Sequence, residues 1–94
     1  MTRTASRVDS NHVAIVVGLR KAGYSVLSLA SLGRGTPDII CGSRTRNVLI
    51  EIKSGKGKLN KQQIEWHDAW ANPVYVVHIL EDALRVMRAK ARKK

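Results

Sequence analysis

The chain has 94 residues, of which 44% are hydrophobic and 26% charged, and seventeen Lys and Arg against seven Asp and Glu give a formal charge of +10. That length fits one domain with a small core, and the composition excludes wholesale disorder. The excess of positive charge favours a polyanionic partner, most simply nucleic acid, with an anionic membrane surface as the rival.

No apolar run approaches the ~18 residues needed to span a bilayer, and no secretory leader pattern opens the chain. The single Cys41 rules out an internal disulfide and a cysteine-rich zinc site. A reducing, cytoplasmic setting without a membrane is therefore expected.

In chain order, residues 1–8 are polar and basic and read as a flexible arm. Asp9 can cap a helix whose apolar face is built from Val13, Ile15, Val16, Val17 and Leu19, with Gly23 placed to end it. Residues 24–32 read as a strand. Gly33, Gly35 and Pro37 then force a loop. Residues 38–41 and 48–53 are short apolar strands separated by a polar, basic turn, and they pair most simply as a hairpin.

After a Gly/Lys loop, residues 60–70 read as a helix, with Asn60 as cap and Gln63 completing a capping box. The run 74–79 is nearly all apolar, as for a strand covered on both faces. A helix from residue 81 to about residue 91 follows, and residues 92–94 are a basic tail. The order is α-β-β-β-α-β-α, one domain over residues 9–91. It predicts an α/β fold with a mixed β-sheet flanked by helices.

Two of the seven acids fall where a core pattern has no place for them. Asp38 opens the run Ile39-Ile40-Cys41, and Glu51 lies between Ile50 and Ile52. Strand alternation sends Glu51 and Lys53 to one side, and a hairpin can bring Asp38 beside Glu51. Two carboxylates forced together need compensation. A divalent cation such as Mg²⁺ supplies it, with the backbone carbonyl of Ile52 as a natural third oxygen. Lys53 cannot be a ligand, but its ammonium can stabilise charge on a phosphate. The plainer alternatives are a solvated Glu-x-Lys strand face and ordinary turn chemistry at Pro37-Asp38.

Taken together, Pro37-Asp38, a gap of twelve residues and Glu51-Ile52-Lys53 resemble the signature of the PD-(D/E)XK nucleases. The finer resemblance is to the VRR-NUC group, small nucleases found alone in phages and fused to larger repair enzymes elsewhere. It rests on Gly35-Thr36-Pro37-Asp38-Ile39-Ile40, Ile50-Glu51-Ile52-Lys53, the loop 54–58, and Leu59 to Trp66 with Gln63 and Trp66 in register.

That resemblance implies a restriction-endonuclease-like fold in a phage or bacterial host cell. Asp38 and Glu51 would bind Mg²⁺, with Mn²⁺ as a substitute. Lys53 would be catalytic, and Gln63 would lie close to the site. Many relatives carry a Glu on the first helix, where this chain has His12. Either His12 meets the metal directly or from one step behind it, or Asp9 replaces the acid, or the position is dispensable. Trp66 and Trp70 are expected to pack their helix onto the sheet, and His67 and His78 have no spacing partner.

Arg34, Arg44, Arg46, Lys56, Lys58 and Lys61 sit in or beside loops flanking the paired strands and are the candidate DNA-backbone contacts. Arg88, Lys90, Arg92, Lys93 and Lys94 form a second basic group, equally consistent with a solvated helix end. The function expected is a metal-dependent DNA endonuclease, with branched, Holliday-junction-like DNA cut by a homodimer as the family-based guess. A non-catalytic nucleic-acid-binding module and a domain binding an acidic protein are the alternatives.

Overall fold

The computed structural model describes residues 10–90, so Asp9, the arm 1–8 and the tail 92–94 lie outside the described residues. Helix α1 (Ser10–Lys21) is followed by strand β1 (Ser25–Ser28), a 3₁₀ turn (Ala30–Leu32), β2 (Ile39–Gly42) and β3 (Asn47–Ile52). Helix α2 (Lys61–Ala69), β4 (Val74–Val77) and α3 (Leu80–Arg88) complete the chain. The strands form one mixed sheet in the order β1-β2-β3-β4, antiparallel at the first two pairings and parallel between β3 and β4.

The strands owe their facing to alternation. Ile39 pairs with Ile50 and Cys41 with Val48, so these four side chains share one face of the sheet. Helices α1 and α3 cover that face. Ile15 and Leu19 from α1, Ile39 and Cys41 from β2, Val48 and Ile50 from β3, Val77, and Ala83 and Met87 from α3 form the core. Burial pushes the Cys41 thiol up to about 11, so it remains protonated near neutrality.

The ends of α1 and α3 follow familiar chemistry. The Gly23 N–H donates to the Arg20 carbonyl and the Tyr24 N–H to the Leu19 carbonyl. This double closure needs a left-handed residue, and Gly23 takes φ +100°. At α3 the Asp82 carboxylate accepts from the backbone N–H groups of His78 and Ile79, at 3.0 and 3.3 Å. Those bonds and Arg85 hold the Asp82 carboxyl below its usual range, His78 making the largest contribution.

Several expectations need correction. The apolar run 24–32 does not stay extended: it leaves the sheet after Ser28, and Leu27 and Leu32 remain more than 60% exposed. The first helix buries only Ile15 and Leu19 fully, while Val13 and Val17 face outward. The run 74–79 is not covered on both faces. It ends as a strand at Val77, lies at the edge of the sheet, and leaves Val76 and Ile79 exposed. Among the described residues, no helix is long and apolar enough to cross a membrane.

Candidate functional site

The face of the sheet away from α1 and α3 carries the acids. The register that pairs Ile39 with Ile50 sets Asp38, one residue earlier, across from Glu51. Asp38 precedes a buried strand residue and follows buried Pro37, so its backbone is fixed on both sides. Its Oδ2 accepts the Ile52 backbone N–H at 2.7 Å, which ties the carboxylate to the end of β3. Glu51 is only 2% exposed. The solvated-face reading of Glu-x-Lys therefore fails at its first residue.

A carboxyl group so deeply placed pays for its burial through its proton affinity. Loss of solvent pushes Glu51 up to about 8. The Asp38 carboxyl adds to this, first by hydrogen bond and then by charge, and the Lys53 ammonium opposes it. Asp38 and Lys53 thus both act electrostatically on Glu51. Lys53 is half-buried, and its own N–H donates to the Val77 carbonyl in the β3–β4 ladder.

Helix α2 lies over Glu51. Asn60 Oδ1 accepts the Gln63 backbone N–H at 2.8 Å, and Gln63 Oε1 accepts the Asn60 N–H at 2.9 Å, completing the capping box. The other end of the same amide is also used: Gln63 Nε2 donates to Glu51 Oε2 at 3.2 Å. Capping and contact with the acid are thus both performed by Gln63. One turn further on, His67 Nε2 stands 3.6 Å from Glu51 Oε1.

Sequence reasoning assigned His67 nothing. The available signal was its spacing of four from Gln63, which puts both on one helix face. Trp66 and Trp70 stack on each other, ring centroids 4.7 Å apart, rather than closing onto the core, and Trp70 is 45% exposed.

Gly35 sets how closely α2 approaches. It adopts φ +85°, and a Cβ there would lie 2.5 Å from the Gln62 carbonyl oxygen. Gly35→Ala combines left-handed strain with a backbone clash, and a loss of about 2–3 kcal/mol is expected. Chemical denaturation of the variant measures that loss, and unchanged stability would mean that the loop does not fix α2.

On α1 the residue that reaches the strand ends is Asn11, another that sequence reasoning missed. Its Nδ2 donates to the carbonyls of Lys53 and His78, at 3.1 and 3.2 Å. His12 instead lines a groove between α1 and the sheet with Val16, Val26, Ser28 and Ile39. Among the described residues, no three His, Cys, Asp or Glu side chains gather to hold a metal. The donors come as the Asp38–Glu51 pair, with the Ile52 carbonyl adjacent in sequence.

The candidate DNA contacts divide between the two ends of the hairpin. Arg34, Lys56, Lys58 and Lys61 are exposed, in or next to the loops that leave the Asp38–Glu51 end. Lys61 also stands 4.0 Å from Glu65. Arg44 and Arg46 lie in the β2–β3 turn at the opposite end, about 14 Å away along strands of this length. Arg46 is engaged there: its guanidinium donates to the carbonyls of Val86 and Ala89 at the end of α3. Of the six candidate cations, Arg34, Lys56, Lys58 and Lys61 are thus the four placed at the Asp38–Glu51 end.

Comparison with family models, with curated proteins and with solved structures yields no match.

Proposed function

We propose that the Asp38–Glu51 pair is a divalent-cation site and that the protein is a metal-dependent DNA endonuclease. The observation that carries this reading is Glu51 itself. It is a buried acid set against a second acid, and its Oε1 is buried without a hydrogen bond. An arrangement that holds one carboxyl near pH 8 while leaving an oxygen unsatisfied is costly for a structural role alone. Asp38, Glu51 and the Ile52 carbonyl form an all-oxygen donor set of the kind Mg²⁺ or Mn²⁺ takes.

A cation bound there would neutralise the paired carboxylates and polarise a phosphodiester. The chain's own residues supply the rest. Lys53 brings a positive charge to the same side of β3 and can stabilise the charge developing on a phosphate oxygen. Arg34, Lys56, Lys58 and Lys61 would hold the DNA backbone by charge, without reading sequence, and affinity should fall steeply with salt. The motif resemblance to the VRR-NUC nucleases agrees with this chemistry and supplies the restriction-endonuclease-like comparison. It also suggests branched DNA as substrate and a homodimer as the means of cutting two strands.

A cleavage assay on linear, flapped and four-way DNA, with Mn²⁺ and with chelator, tests the proposal. Cation-dependent cleavage of at least one form is expected, with four-way DNA the favoured substrate. DNA binding without cleavage of any form would favour the non-catalytic binding module instead.

A further inference from the structure

Helix α2 is the least embedded helix of the fold. None of its residues is buried and none belongs to the core, yet two of its side chains converge on one buried carboxylate. Gln63 Nε2 donates to Glu51 Oε2, and His67 Nε2 faces Glu51 Oε1 at 3.6 Å. The His67 and Glu51 side chains are 11% and 3% exposed, so the approach takes place away from bulk water. Oε1 is also the Glu51 oxygen that takes no hydrogen bond.

We propose that His67 is a positioning residue for Glu51. With Gln63 it addresses the two oxygens of one carboxylate from a single helix face, and this two-point hold sets the affinity of the site for a divalent cation. The inference rests on the cation-site reading above. Its physical basis is preorganisation. A carboxylate whose plane is already fixed loses less freedom when it takes a cation, and each oxygen keeps a second lone pair for that purpose. The separation of 3.6 Å exceeds a hydrogen bond, so a small closure of α2 would let the Nε2–H reach Oε1.

The alternative is that His67 only packs, since its ring meets Trp66 edge-on with centroids 6.5 Å apart. Mg²⁺ titrations of the wild type, His67→Ala, His67→Gln and Glu51→Gln separate the two. His67→Ala is expected to weaken Mg²⁺ binding by about tenfold or more. His67→Gln, which keeps an N–H donor of similar reach, should recover most of that loss at an equal melting temperature. In the unmodified protein, the His67 Nε2 resonance in ¹H–¹⁵N imidazole spectra should move as Mg²⁺ is added.

Wild-type affinity in His67→Ala, equal losses in the Ala and Gln variants, or an unmoved imidazole resonance would each overturn the proposal. Glu51→Gln keeps the failures apart. If it abolishes Mg²⁺ binding while His67→Ala does not weaken it, only the role of His67 falls. If Glu51→Gln binds Mg²⁺ as the wild type does, the cation site itself is wrong.

Discussion

Lys53→Ala is expected to lower DNA cleavage by about 10²–10³-fold while leaving cation affinity within a few-fold of the wild type. The asymmetry follows from the geometry. Lys53 follows Glu51 by two, one residue past the end of β3, where its N–H still bonds to Val77, so alternation keeps the two on one side, and its charge is felt by that carboxyl. An ammonium cannot bind a cation, so its removal should spare metal binding and cost only the stabilisation of charge on phosphate. Removing it also removes a repulsion, so cation affinity should be unchanged or slightly higher. Single-turnover cleavage and calorimetric titration of the same variant measure the two quantities. A variant that cleaves at the wild-type rate would remove Lys53 from the mechanism.

The second large effect is a stability that falls with rising pH when no divalent cation is present. Glu51 is lifted from 4.5 to about 8 in the folded chain. Between those values the folded protein keeps a proton that the unfolded chain has released. The stability this contributes is complete below about pH 4.5 and is lost as pH rises through about 8. Melting temperatures in chelator should therefore decline across that window, and Glu51→Gln should flatten the decline. Saturating Mg²⁺ should reverse it at pH 8 and above, since a ligand at about 100 times its dissociation constant adds about 2.7 kcal/mol. A wild-type profile parallel to that of Glu51→Gln would show that the burial of Glu51 carries no such linkage.

The central hairpin was legible in the sequence because its signal is local. Two short apolar runs, a basic turn between them and strict alternation place Asp38 against Glu51 with little freedom of register. The capping box at Asn60 and the stop at Gly23 were legible for the same reason. Apolar composition misled where burial depended on distant elements. Leu27, Leu32, Val76 and Ile79 look like core residues in sequence, yet each is exposed: Leu27 and Val76 lie on the edge strands β1 and β4, and Leu32 and Ile79 lie outside the sheet.

In the candidate site, the strand residues could be read from alternation, whereas Asn11 and His67 could not be reached that way. Each contacts the strand region from a separate helix, Asn11 at positions 42 and 67 residues away in sequence. Only the packing of α1 and α2 decides that contact. Arg46 is a similar case: its place in a turn beside the paired strands was legible, whereas its bonds to the end of α3 depend on tertiary packing.

The most direct test of the central claim is a calorimetric Mn²⁺ titration of the wild-type protein beside Asp38→Asn and Glu51→Gln. The account predicts saturable binding by the wild type and its loss in both variants, with each variant still folded. Binding that survives both substitutions, or no binding by the wild type, would contradict it.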